Sequence, residues 1–135
     1  PGEVAACLIE HLNQHPLDND AREKLAHIYW DHYQRLDLAG EQLEQLIATP
    51  NQSGKEVARW LNLWADMQVK HGEGLETVRQ TLQRVIDLFP GLAAAQMARQ
   101  RIEYLPLELK GKEKSQAVKL GSYEKDLGLK SRRGS

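Results

Sequence analysis

Three residues near the start of the chain have side chains that can ligate transition metals. Cys7, His11 and His15 follow one another at intervals of four residues, so a helix would align them along one edge, at a spacing that can hold zinc or copper. A simpler interpretation is that Cys7 packs beside an apolar stripe and His11 interacts with the helix dipole. A metal site also needs a fourth ligand, which this segment does not supply. We therefore expect no metal and no cofactor.

A second group of residues combines a histidine with a carboxylate. His27 and Asp31 are four residues apart, and a histidine beside a carboxylate can act as a general base. The sequence has no serine or cysteine in a nucleophile elbow, no glycine-rich loop after a strand and no His-Glu-x-x-His motif. We therefore expect a protein that is not an enzyme.

The elements that position these residues are predicted to be helices. Over residues 4–105 the apolar residues recur at intervals of three and four, which is typical of helices with one buried stripe, and strict alternation is absent. Six segments result. Asp18 or Asn19 is a suitable N-cap for the second, Gly72 closes the fourth, and Pro106 is predicted to end the sixth. The predicted fold class is all-α.

The charge distribution divides the chain at the same place. The net charge of −1 is a sum of two unequal parts, because residues 1–105 contain 10 basic and 15 acidic residues and residues 106–135 contain 8 and 4. Apolar residues in the second part alternate with polar ones, as Leu107 and Leu109 do, which favours extended chain. We predict a helical domain over residues 1–105 and a basic extended tail over residues 106–135.

The helical part also contains a repeat. Pro16 and Pro50 are 34 residues apart, and the span between them places apolar and small residues at Leu25-Ala26, Tyr29, Ala39, Leu43 and Leu46. This pattern resembles the tetratricopeptide repeat, a 34-residue pair of helices. A looser copy follows at Leu61, Trp64-Ala65, Gly72, Val78, Leu82, Val85 and Pro90.

The second copy departs from the family pattern in two ways. Pro50 and Pro90 are 40 residues apart, and Gln68 stands where the family has a tyrosine. The first segment would be a second-type helix without its partner, and the sixth would begin an incomplete repeat. The resemblance implies a short α-solenoid of about six helices, in antiparallel pairs.

The resemblance also implies a function. First helices of each pair line a concave groove in this family, so we expect a scaffold that binds a protein or peptide segment, with an exposed aromatic and charges of both signs as contacts. Carried over by position, the groove residues would be Asp20, Glu23, His27, Trp30, Asp31, Arg59, Asn62, Asp66, Val69 and Lys70. Trp30 and Trp60 could equally cover a helix junction. Glu23 and His27 occupy positions where the family's chaperone-binding clamp has lysine and asparagine, so we expect no chaperone adaptor.

The basic tail has its own set of expected partners. It could lie along its own acidic body, add to the groove of a neighbouring copy, or stay disordered until a partner arrives. Nucleic acid or an anionic membrane surface is the alternative, but acidic residues interrupt the basic ones and only Tyr123 offers a ring for stacking. We therefore expect docking on protein rather than nucleic-acid binding, and self-association through the tail is one form that this docking could take.

The sequence has no apolar run long enough to span a membrane, and residues 1–20 show neither a basic segment followed by an apolar stretch nor a small-residue cleavage site. We expect a soluble chain, cytoplasmic rather than secreted, or a fragment of a membrane-anchored parent.

Overall fold

Helices form every regular element in the part of the chain that the structure describes. The computed structural model describes the backbone of residues 1–126 and the side chains of residues 1–112. Its six helices are α1 (Gly2–Gln14), α2 (Asn19–Asp31), α3 (Leu36–Ala48), α4 (Gly54–His71), α5 (Leu75–Leu88) and α6 (Ala93–Asp126). The predicted all-α class is confirmed.

The helix ends follow from local side-chain chemistry. Asp18 caps α2 by accepting a hydrogen bond from the backbone N–H of Ala21 at 3.1 Å, and Ser53 caps α4 in the same way from Glu56 at 3.1 Å. These contacts satisfy N–H groups that have no partner within the helix. Gly72 ends α4 with a φ of 90°, a left-handed conformation that glycine adopts without strain. The predicted roles of Asp18 and Gly72 are confirmed.

Packing runs mainly from each helix to the next one along the chain. In addition, α4 contacts α6. The largest group of buried side chains draws on α2, α3, α4, α5 and the start of α6 and includes Leu43, Leu46, Trp60 and Leu61. Smaller groups join α1 to α2 and join α6 to α4 and α5. The core is therefore made from the helical stripes that the sequence predicts.

The structure corrects the prediction of an extended tail. Helix α6 continues through Pro106 to Asp126, so residues 106–126 are helical and the predicted domain boundary falls inside a helix. The remaining residues of the predicted tail, 127–135, lie outside the described part of the chain. Proline lacks the N–H that would bond to the carbonyl of Ile102, which is why it was expected to stop the helix.

Burial on both sides of Pro106 explains the continuation. Leu105 is fully buried and Leu109 packs beside it against Val78 and Leu82 of α5. Leu107, between them, is 67% exposed. Leucines at every second position are compatible with a strand, but a helix brings residues four apart to one face. The burial of Leu105 and Leu109 therefore offsets the cost of the proline.

A membrane-spanning helix is absent from the described residues, none of whose helices combines the necessary length and apolarity.

Candidate functional site

Glu23 of α2 is at the centre of a polar cluster that joins α2 to α4. Its two carboxylate oxygens accept hydrogen bonds from the guanidinium of Arg59 at 2.5 and 2.9 Å. The indole Nε1 of Trp60 donates a third, at 2.9 Å. Glu56, one turn before Trp60, also accepts from Arg59. Two residues predicted for the groove, Glu23 and Arg59, are thus in direct contact although 36 positions separate them.

These contacts favour the charged form of Glu23. The Arg59 hydrogen bonds, with a smaller contribution from Trp60, outweigh the opposing effect of burial and lower the pKa of Glu23 from 4.5 to about 2. Glu23 and Glu56 together raise the pKa of Arg59 above its usual value. The side chain of Glu23 is only 20% exposed, so solvent screens the pair less than it screens a surface ion pair.

This pairing predicts an acid-sensitive part of the stability. Because the pKa of Glu23 is about 2 in the folded chain and 4.5 without these contacts, the stabilisation is complete above pH 4.5 and is lost as the pH falls toward 2. At about 1.4 kcal/mol per pKa unit the shift corresponds to at most about 3 kcal/mol, since solvent still screens part of the pair. Glu23→Gln should therefore be less stable than wild type at pH 7, with the difference disappearing near pH 2, as measured by urea unfolding across this range.

Glu10→Gln is the control, since Glu10 is exposed on α1 and makes one long contact, with Gln14 at 3.5 Å. This variant should follow the wild type at every pH. A stability gap for Glu23→Gln that is the same at pH 7 and pH 2.5 would contradict the assignment.

A second ion pair joins α4 to α6. Arg101 of α6 lies 2.8 Å from a carboxylate oxygen of Asp66 and 3.1 Å from one of Glu108. Arg59 and Asp66 are seven residues apart, which places them two turns apart on the same face of α4. One face of α4 therefore reaches α2 through Arg59 and α6 through Asp66.

The other predicted groove residues divide by burial. Asp20, Asp31 and Lys70 are exposed, and His27 and Asn62 are half-buried. His27 lies between two acidic neighbours on α2, 3.7 Å from Glu23 and 3.9 Å from Asp31. The described surface thus carries both charge signs.

Two of the predicted groove residues belong to the interior. Trp30 is buried and meets the ring of His71 edge-on at 5.7 Å, which agrees with the junction role left open for it and not with an exposed aromatic in the groove. Val69 is also buried, in the group of apolar side chains that includes Val78 of α5. Trp60, for which a junction role was left open, is 1% exposed at the contact between α2 and α4.

The residues considered for metal binding make a different contact. His11 Nε2 lies 2.7 Å from a carboxylate oxygen of Asp18, and this hydrogen bond, together with one from the Ala21 N–H, lowers the pKa of Asp18. The ring of His15 is 4.8 Å from that of His11, and Cys7 is exposed. Among the described residues, no three histidine, cysteine or acidic side chains are grouped so as to hold a metal ion.

A cavity of about 670 Å³ beside Trp64 was not predicted. It lies between α3, α4 and the turns that follow α2 and α4. Its lining residues are Gln34, Arg35, Leu36, Asp37, Gly40, Glu41, Glu44, Trp64, Gln68, His71 and Glu73. Trp64 and Gln68 occupy positions of the tetratricopeptide-like repeat in the sequence, and no binding role was predicted for them. Trp64 and Gln68 are one helical turn apart, and α3 carries a run of acidic residues. This combination was the sequence signal that could have indicated the cavity.

The Trp64 ring is held tightly at the edge of this cavity. It packs on Gly40, where a Cβ atom would lie only 3.0 Å from Cζ2 of the ring. The guanidinium of Arg84 lies 5.9 Å from the ring centroid and forms two hydrogen bonds of 2.9 Å with Glu44. Gly40 therefore permits the close approach of α3 to the ring, and the Glu44–Arg84 pair ties α3 to α5.

The chain was compared with protein-family models, curated proteins and solved structures, and none of the three comparisons gave a match.

Proposed function

We propose that the chain is a short α-solenoid of the tetratricopeptide type and acts as a non-catalytic scaffold that binds a protein or peptide segment. The observation that carries this proposal is the pair of bridges, Glu23–Arg59 and Asp66–Arg101, that join α2, α4 and α6 through one face of α4. Contact between alternate helices is what the family arrangement requires, because its first helices lie side by side along the groove. In this register α2, α4 and α6 are the first helices.

The chemistry of this face favours a charged ligand. Trp30 is buried, so the contacts come from charged and amide side chains rather than from an exposed ring. Asp31 and Lys70 are exposed, whereas Arg59 and Asp66 already have partners. A surface of this kind selects its ligand by charge pattern, and we expect binding that weakens as salt is added.

The test is to select peptides from a random phage-displayed library on the intact chain and to measure their affinity for variants. The double charge reversal Asp31→Lys with Lys70→Glu changes the proposed groove without touching a buried residue. We expect the dissociation constant of the selected peptides to rise at least tenfold, because the reversal replaces attraction by repulsion at both substituted positions.

The matched control is Asp87→Lys with Arg99→Glu, which reverses two exposed charges on α5 and on the side of α6 away from Arg101. This control should change the affinity by less than twofold. The proposal fails if both double variants bind the peptides equally, or if no peptide is selected while an anionic polymer binds with steep salt dependence, since that result would favour the basic segment as the binding site.

A further inference from the structure

The cavity beside Trp64 lies on the side of α4 away from the proposed groove. Trp64 and Asp66 are two residues apart, so a helix directs their side chains to opposite faces. The cavity is open to ligands independently of any segment that occupies the groove.

The walls of the cavity combine apolar surface with carboxylates. Leu36 and Trp64 supply the apolar part. Four acidic residues contribute to the lining, and these are Asp37, Glu41, Glu44 and Glu73. Such a combination matches a side chain with an aliphatic stem and a cationic head.

The charges around the cavity are only partly compensated. Asp37 is paired with Arg35 at 2.8 Å, and Glu44 with Arg84. Glu73 lies 3.8 Å from His71, which supplies a positive charge only when protonated. Glu41 has no ion-pair partner within the described side chains. The cavity therefore retains negative charge that a cation can neutralise.

Gln68 supplies an independent indication of a ligand. Its side chain lines the cavity and is only 6% exposed, yet its Oε1 atom has no hydrogen-bond partner among the described residues. A buried acceptor without a donor is unfavourable, and native chains rarely keep one. A donor from a bound molecule would satisfy it.

We propose that this cavity binds an arginine side chain from a basic segment of a partner protein. The stem lies against Trp64 and Leu36, and the guanidinium donates hydrogen bonds to the carboxylates of the lining and, once the buried Gln68 amide turns toward the cavity, to Gln68 Oε1. Arginine suits this set of acceptors because its five N–H donors can serve several oxygens at once. The neutral analogue citrulline has the same shape without the charge and binds less well.

The experiment uses the intact chain and the peptide acetyl-Gly-Ser-Arg-Arg-Ser-Gly-amide. Titration calorimetry gives the affinity, and the indole N–H signal of Trp64 in NMR spectra, identified by its loss in Trp64→Phe, reports the location. We expect the Trp64 signal to shift on titration, and we expect a dissociation constant at least tenfold larger for the peptide that carries citrulline at both arginine positions.

Two variants separate binding from folding. Gln68→Met keeps the shape of the side chain and removes the unpartnered oxygen, so it should weaken binding at least fivefold while the melting temperature stays equal or rises. Glu41→Gln should weaken binding at least threefold, whereas Glu103→Gln, a matched change at an exposed position on α6, should leave it unchanged. Equal binding of the arginine and citrulline peptides, or unchanged binding to Gln68→Met, would overturn the proposal.

The groove variant Asp31→Lys with Lys70→Glu makes the two proposals distinguishable. Because Lys70 is on the opposite face of α4 from Gln68 and neither Lys70 nor Asp31 lines the cavity, this variant should bind the arginine peptide as the wild type does. Loss of binding in the groove variant with binding retained in Gln68→Met would place the peptide in the groove, which overturns the cavity site and leaves the scaffold function standing.

Discussion

Replacing Trp60 by alanine is expected to lower the free energy of unfolding by about 3 to 5 kcal/mol. Trp60 is the largest of the fully buried side chains that the structure describes, and it lies in the core shared by α2, α3, α4, α5 and the start of α6. Its removal leaves a cavity in that core and takes away the indole donor of Glu23. A loss of this size is a large fraction of the stability of a small domain. Urea unfolding followed by circular dichroism measures it.

Trp60→Phe separates the two contributions and remains measurable if the alanine variant does not fold. It keeps most of the apolar volume and loses the hydrogen bond to Glu23, so we expect a smaller loss of about 1 to 2 kcal/mol. The assignment of Trp60 to the core would be wrong if the alanine variant lost less than about 1 kcal/mol.

Leu105→Ala is expected to lower the free energy of unfolding by about 2 to 4 kcal/mol. Leu105 is fully buried where α6 packs on α4 and α5, in contact with Ala65, Val78 and Leu82. Truncation removes apolar contacts from a site whose neighbours belong to three helices and cannot all move inward. Chemical unfolding in urea again provides the measurement.

Leu107→Ala is the matched control, with the same chemical change two residues further along the chain. Leu107 is exposed, so its truncation should alter stability by no more than about 0.5 kcal/mol. An extended chain would direct both leucines to one face and give two similar losses. Equal effects would therefore refute a helix that continues past Pro106.

The helical pattern was predictable because it depends on neighbours in sequence. The caps at Asp18 and Ser53 and the glycine end at Gly72 use contacts within a few residues. The failure at Pro106 has the opposite cause, since a local rule for proline was overridden by the packing of Leu105 and Leu109 against α5. Burial across helices is not visible in local spacing.

The candidate sites were predictable only in part for the same reason. Glu23 and Arg59 were both assigned to one surface, but their direct contact and the Trp60 donor depend on how α2 meets α4. The cavity at Gln68 forms only because α3 and the turns that follow α2 and α4 lie close to it. Residue type indicated which side chains could bind, and tertiary packing decided which of them remained available.

The order in which the helices contact one another also bears on how the chain folds. Since each helix packs mainly on its sequence neighbour, most contacts can form without closing long loops, and chains of this type collapse and fold within microseconds to milliseconds. The same order predicts uneven protection of backbone amides. Helix α1 has α2 as its main neighbour, so its backbone amides should exchange hydrogen for deuterium through local opening. The amides of α4 should exchange much later, through global unfolding.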